Sequence, residues 1–116
     1  MKETQLLKGV LEGCVLSIIK QQQVYGYELV QIMRNYGFTT IVGGTIYPLL
    51  QKLEKQGLIK SKELASPDGP NRKYLFITHE GGEQLEGFEE QWSSMTVKVN
   101  RILKKVESES DEKYYR

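Results

Sequence analysis

One run of the sequence, residues 43–60, constrains the fold of this chain more than any other segment. It reads GGTIYPLLQKLEKQGLIK, and its apolar residues recur at the i, i+3, i+4 and i+7 spacing of a helix that buries one side. Pro48 costs least in the first turn, where its missing N–H would have no helical acceptor. The helix is therefore predicted to begin near Gly44 or Thr45, and Gly57 is predicted to end it.

Two strand-like segments follow this helix. Leu58-Ile59 begins the first, and residues 72–77, RKYLFI, form the second. Residues 65–71, ASPDGPN, are rich in turn-forming residues and are predicted to form the tip between the strands. A short helix followed by a basic two-stranded hairpin is typical of a winged helix-turn-helix, so the predicted fold is mainly α with a small β-hairpin. This fold predicts DNA binding.

The candidate DNA contacts lie on the exposed face of the helix and on the hairpin. Residues at the start of a recognition helix reach base edges, and cations neutralise phosphates. Gln51 has the side-chain chemistry to bind adenine. The predicted contacts are Thr45, Tyr47, Pro48, Gln51, Lys52, Lys55, Lys62, Arg72 and Lys73.

Charge is unevenly distributed along the chain. The formal net charge is only +1, but residues 43–73 contain six basic and three acidic residues. Residues 79–92 contain five glutamates and no lysine or arginine. A basic segment within a nearly neutral protein favours a polyanion-binding face, with the acidic segment turned away from it.

The first half of the chain is predicted to hold two further helices. Thr4 is predicted to cap a first helix that runs to about Lys20 and buries a broad apolar stripe. A second helix is predicted from about Gly26 to Tyr36, and Gly37 is predicted to end it with a positive φ. The width of the first stripe indicates burial on more than one side, in part against another subunit.

The last helix carries a heptad seam. Thr78 is predicted to cap it, and seven apolar residues then alternate at spacings of three and four, as in a coiled coil. A narrow seam on so long a helix predicts a homodimer, although a seam packed on its own domain is the alternative. The predicted interface residues are Leu85, Phe88, Trp92, Met95, Val99, Ile102 and Val106.

These patterns predict three parts: a winged-helix DNA-binding domain over residues 1–77, a dimerisation helix over 78–107 and a disordered tail over 108–116. Enzyme chemistry is not expected. One cysteine and one histidine cannot build a common zinc site, and the glycine pairs match no phosphate-binding loop. We expect no metal or cofactor. Because no apolar run is long enough to span a membrane, we expect a cytoplasmic protein that does not bind membranes.

Several motifs in order resemble the PadR family of bacterial transcriptional regulators, in its branch with a single C-terminal helix. They are YGYEL at 25–29, GTIYPLL at 44–50, LEKQGLI at 53–59, GPNRKY at 69–74 and THEG at 78–81. The resemblance implies a winged-helix dimer that represses transcription from a pseudo-palindromic operator in double-stranded DNA. Leu75-Phe76 departs from the Tyr or Arg that many members have after the RKY triplet.

The resemblance also bears on Trp92. Some members of this branch bind planar hydrophobic molecules against a tryptophan of the last helix, and Trp92 lies at the matching place. Two interpretations stay open: a stacking surface for a small effector, and a large side chain that fills the dimer seam. For the whole chain, the alternative to DNA binding is a winged-helix module that binds a protein partner.

Overall fold

The computed structural model describes the backbone of residues 2–113 and the side chains of residues 2–104. This part of the chain forms five helices and a three-stranded antiparallel sheet, which confirms the predicted fold class. In chain order the elements are α1 (Glu3–Lys8), α2 (Leu11–Gln21), β1 (Val24–Tyr25), α3 (Gly26–Asn35), α4 (Gly43–Lys55), β2 (Ile59–Ser66), β3 (Gly69–Ile77) and α5 (His79–Lys113).

The N-terminal segment forms two helices where the sequence predicted one. α1 ends before Gly9, a poor helix former, and α2 begins at Leu11. The predicted cap is also wrong, because Lys2 is the N-cap residue of α1 and Thr4 lies inside the helix. α2 supplies much of the core, with Val15 and Leu16 fully buried.

α3 and α4 form the helix-turn-helix. Gly37 follows α3 with a φ of 108°, as predicted from its place after the last apolar residue. The Arg34 guanidinium then donates hydrogen bonds to the carbonyls of Thr39, at 2.6 Å, and Ile41, at 2.8 Å. These two bonds hold the connection that leads into α4.

α4 begins earlier than the sequence predicted. Its first residue is Gly43, so Pro48 is the sixth residue and lies beyond the first turn. The carbonyl of Gly44 therefore lacks the N–H donor that another residue at 48 would supply. A single missing bond is tolerated because Ile46 and Leu53 of the same helix are fully buried and hold it to the core.

The sheet has the strand order β1-β3-β2. β1 was not predicted, since two residues are too few to show an alternating pattern. The hairpin of β2 and β3, here called the wing, has strands that run to Ser66 and Gly69, so its turn is shorter than the predicted tip over 65–71. A register irregularity between Leu64 and Ser66 marks a bulge near the turn.

Thr78 joins the sheet to α5. Its hydroxyl accepts a hydrogen bond from the N–H of Gly81 at 3.0 Å, which confirms the predicted cap, and donates one to the carbonyl of Gly57 at 2.6 Å. Gly57 itself has a φ of 76°, as expected after the end of α4. A β-carbon on Gly81 would overlap the backbone carbonyl of Leu58, so only glycine fits there.

The chain divides into two compact units, with the boundary inside α5 after Leu85. The first unit contains the core, whose most deeply buried side chains are Val15, Leu16, Val24, Leu29, Met33, Ile46, Leu53, Ile59 and Leu85. The α5 backbone is helical to Lys113, past the predicted start of the tail at 108, in a segment that has no glycine or proline to end a helix. The functional division at 77/78 and 107/108 stays a prediction.

Candidate nucleic-acid interface

α4 turns its polar face to solvent. Ile46, Leu50 and Leu53 are buried on the opposite side, which follows from the 3.6-residue period of the helix. The candidate contacts on this helix are all exposed: Thr45, Tyr47, Pro48, Gln51, Lys52 and Lys55. The helix can therefore meet a partner along its whole polar face without losing its core packing.

The N-terminal end of α4 is uncharged and has no side-chain cap. Its N-cap residue is Val42, which is exposed and offers no hydrogen-bond acceptor in its side chain. By helix geometry the N–H groups of Gly43 and Gly44 have no acceptor within α4, and the helix dipole makes this end electropositive. Nearby phosphate would be favoured electrostatically.

Lys52 forms an ion pair with a residue of another helix. Its Nζ lies 3.8 Å from Glu12 Oε2 of α2, and both side chains are at least partly exposed. Exposed pairs of this kind are weak, so Lys52 can exchange the carboxylate for a phosphate. Glu12 was not among the predicted site residues because it is 40 positions away in the sequence.

The wing has two chemically different faces. Directly opposed residues of an antiparallel pair share a face, and the register pairs Lys62 with Tyr74 and Glu63 with Lys73. We call the two surfaces the Arg72 face and the Lys73 face. The Arg72 face carries Lys60, Lys62, Leu64, Arg72, Tyr74 and Phe76, whereas the Lys73 face carries Ser61, Glu63, Lys73 and Leu75. Cations are therefore unopposed on the first face and balanced on the second.

Arg72 is held in place on its face. The guanidinium carbon lies 4.5 Å from the centroid of the Tyr25 ring, within the range of a cation–π interaction. Tyr25 in turn meets the buried Tyr74 edge-to-face at 5.7 Å. Arg72 is accordingly half-buried, whereas Lys62, Lys73 and the predicted contacts on α4 are exposed.

Tyr47 is held between two glycines that sequence reasoning missed. A β-carbon built on Gly26 would lie 2.6 Å from Cε1 of the Tyr47 ring, and one on Gly43 would lie 2.7 Å from Cε2. Both distances are too short for real carbon atoms, so the ring occupies space that any other residue at these positions would fill. Gly26 lies in the YGYEL motif and Gly43 immediately precedes GTIYPLL, but nothing in the sequence indicates that both meet the Tyr47 ring.

The exposed apolar seam of α5 lies in the second unit. Trp92, Met95, Val99 and Ile102 are 44–63% exposed, and the Phe88 and Trp92 rings are nearly parallel, 6.4 Å apart. Leu85 differs from them. It is 1% exposed and belongs to the core of the first unit, so we remove it from the surface available to a partner. Val106, also predicted to be in the seam, lies outside the residues whose side chains are described.

Cys14 and His79 are the single cysteine and the single histidine of the sequence. Burial raises the pKa of the Cys14 thiol, which disfavours the reactive thiolate at neutral pH. His79 is exposed at the start of α5, with Nε2 2.6 Å from Glu83 Oε1. In the described part of the chain, no group of three or more His, Cys, Asp or Glu side chains is arranged to hold a metal ion. Within the same residues, no helix combines the length and apolarity that a membrane span requires.

Known proteins share both the sequence pattern and the fold. The model of the transcriptional regulator PadR-like family matches residues 15–87. The crystal structure of a PadR-like transcriptional regulator from Bacillus cereus strain ATCC 14579 aligns with a TM-score of 0.82 and 50% identity, over 85% of this chain and 96% of that one. A Streptococcus transcriptional regulator aligns with a TM-score of 0.80 and 59% identity, over 86% and 98% of the two chains.

A longer relative matches this chain over only part of its own length. The transcriptional regulator YqjI of Escherichia coli strain K12 is 33% identical over 85 residues, which is 72% of this chain but 39% of YqjI. This chain therefore matches less than half of that protein. With the family model covering residues 15–87, well over half of the sequence, the chain belongs to the PadR-like family of transcriptional regulators.

Proposed function

We propose that this chain is a homodimeric transcriptional repressor that binds a pseudo-palindromic operator in double-stranded DNA through α4. The observation that carries the proposal is the exposure of every candidate contact on α4 while the opposite face of that helix is buried. In helix-turn-helix docking, the first residues of the recognition helix contact base edges in the major groove. Membership of a family of transcriptional regulators supports the same role.

The residues divide by chemistry into two sets. Thr45, Tyr47 and Pro48 lie in the N-terminal half of α4, where base edges are reached, and Gln51 can donate and accept with adenine. The cations neutralise phosphates, which positions the protein without reading sequence. They are Lys52, Lys55, Lys62 and Arg72, with a smaller contribution from Lys73 because Glu63 lies opposite it.

The homodimer is proposed from the seam of α5. Its exposed apolar side chains recur every three or four residues, and such a seam is stable in water when a second copy covers it. A two-fold symmetric dimer would present two α4 helices to two half-sites, which accounts for the palindromic operator. A cytoplasmic location belongs to the same proposal because bacterial DNA lies there.

Binding is tested by fluorescence anisotropy with a labelled duplex from the region upstream of the chain's own gene and an unrelated duplex of equal length. We expect affinity for the upstream duplex to be at least about 10³ higher and to fall steeply between about 50 and 200 mM salt. Lys52→Ala should weaken binding to both duplexes and lower the salt slope. Lys98→Ala, which removes the same charge from α5, is the matched control. Salt-independent or absent binding would contradict the proposal and favour the protein-interaction module.

Repression and effector release are tested separately. Expression of a reporter gene placed behind the upstream region should fall when the chain is present. An increase in expression would show that the chain is an activator and would contradict repression. The near-parallel Phe88 and Trp92 rings support stacking of a planar hydrophobic molecule, which would quench Trp92 fluorescence. Titration with planar aromatic dyes, with the DNA complex followed in parallel, shows whether binding releases DNA. Unchanged fluorescence up to high micromolar dye would leave Trp92 as a seam residue only.

A further inference from the structure

The junction between β1 and α3 touches both elements of the proposed DNA interface. Tyr25 is the last residue of β1, and Gly26 is the first residue of α3. Tyr25 lies beneath the Arg72 guanidinium of the wing, at 4.5 Å, while Gly26 lies against the Tyr47 ring of α4. Two adjacent residues thus contact one candidate DNA residue on each element.

Glycine is required at position 26 because a side chain has no room there, and not because the backbone has a positive φ. Among the described residues, the glycines with positive φ are Gly37 and Gly57, so Gly26 could be another residue if only its dihedral angles mattered. What excludes a side chain is the ring of Tyr47, which Gly26 meets at one edge and Gly43 at the other. A ring confined on both edges cannot move away from one glycine without approaching the second.

The contact at Tyr25 restricts Arg72 in a different way. A free arginine side chain samples many rotamers, and ordering it on binding costs free energy. The Tyr25 ring offers the guanidinium a flat surface, and Tyr74 supports that ring from its edge. Arg72 is therefore already partly ordered before any partner arrives.

The geometry points to Tyr25 and Gly26 as positioning residues for DNA binding: Tyr25 orients Arg72, and Gly26 confines Tyr47. This inference rests on the proposed DNA-binding role. Neither residue needs to touch DNA. Each acts by keeping a contacting side chain in the conformation in which it binds, which improves affinity by lowering the ordering cost.

Double-mutant cycles separate positioning from a general structural role. Tyr25→Leu should weaken DNA binding about 2- to 30-fold, the range expected from a lost cation–π interaction, and Tyr25→Phe should bind like the wild type. In an Arg72→Ala background, Tyr25→Leu should cause no further loss. Gly26→Ala should weaken binding about 2- to 10-fold by forcing the Tyr47 ring off its rotamer, with no further loss in a Tyr47→Ala background.

Three controls accompany the cycles. Gly43→Ala presses the same ring from its other edge, so it should reproduce Gly26→Ala and provide a second test if one variant is poorly folded. The crossed pairs, Tyr25→Leu with Tyr47→Ala and Gly26→Ala with Arg72→Ala, should be additive within about twofold, as expected for sites without shared contacts. Thermal unfolding of every variant shows that binding is measured on folded protein.

The outcomes distinguish this inference from the function on which it rests. If Arg72→Ala and Tyr47→Ala both bind DNA like the wild type, the docking model itself is wrong. If both weaken binding but Tyr25→Leu and the glycine variants act additively with them, or have no effect, the docking model stands and the positioning roles are overturned. Coupling within each pair and additivity between pairs is the result that supports the inference.

Discussion

Arg72 and Lys73 are adjacent in the sequence, yet alanine substitutions at the two positions should have different effects on DNA binding. Each substitution removes one positive charge from the middle of β3. Arg72 lies over Tyr25 on a face whose cations are unopposed, whereas Lys73 lies opposite Glu63 on the other face. We expect Arg72→Ala to behave as the loss of a phosphate contact and Lys73→Ala to have a small effect.

The expected magnitude follows from counterion release. Each phosphate contact contributes about 0.9 to the slope of log affinity against log salt, so Arg72→Ala should reduce the slope by about that amount. The lost charge-assisted hydrogen bonds should weaken binding about 10- to 150-fold at low salt. Cross-strand partners have β-carbons roughly 5 Å apart, so the Glu63 carboxylate offsets the Lys73 charge and Lys73→Ala should change the slope by less than about half as much.

The assay is a salt series of anisotropy titrations on one duplex with the wild type and both variants. Glu63→Gln provides the converse test, because removing the carboxylate should strengthen binding if Lys73 is near DNA at all. If Lys73→Ala changes the salt slope of DNA binding as much as Arg72→Ala does, the prediction that the wing binds DNA mainly through its Arg72 face is wrong. The wing would then meet phosphates on both of its faces, as it would if inserted into a minor groove with a strand on either side.

Three further outcomes test the fold, the recognition helix and the assembly. Gly81→Ala should destabilise the chain by about 1–3 kcal/mol in thermal unfolding, because its β-carbon meets the Leu58 carbonyl, whereas Gly82→Ala, in open space, should be neutral or stabilising by up to about 1 kcal/mol. Glu12→Gln should release Lys52 from its ion pair and strengthen binding to unrelated DNA at low salt. Unchanged affinity would show that this ion pair has no effect on DNA binding. Sedimentation at micromolar concentration should give twice the 13.4 kDa of one chain, and a monomer would contradict the α5 seam.

The features that the sequence predicted well are those encoded within a few residues of each other. Gly37 and Gly57 adopt positive φ because a helix end needs such a residue just past its last turn. Thr78 caps α5 because its hydroxyl is three residues from the N–H that it accepts. The buried and exposed faces of α4 follow from the helical period alone, so exposure of the candidate contacts on α4 could be predicted without a structure.

The structure departs from the sequence prediction where a local pattern conflicts with a helix-breaking residue or with tertiary packing. The apolar stripe of the first helix continues across Gly9, but the chain breaks there into α1 and α2. Pro48 predicts a later start for α4, yet burial of Ile46 and Leu53 stabilises the helix with the proline in its second turn. Tertiary packing outweighed a local preference in the second case.

The parts of the candidate interface that no local pattern could predict are pairings between distant segments. A count of charges along the chain treats Arg72 and Lys73 alike. Only the register of β2 against β3 shows that Lys73 lies opposite a carboxylate and Arg72 does not. From the sequence alone, Tyr25 and Gly26 are only the start of a helix. Their contacts with Arg72 and Tyr47 arise because β1 pairs with β3 and α3 packs against α4. Because each of these contacts joins residues more than nine positions apart, the interface is a property of the fold, and variants that leave every candidate DNA residue intact should still change its affinity.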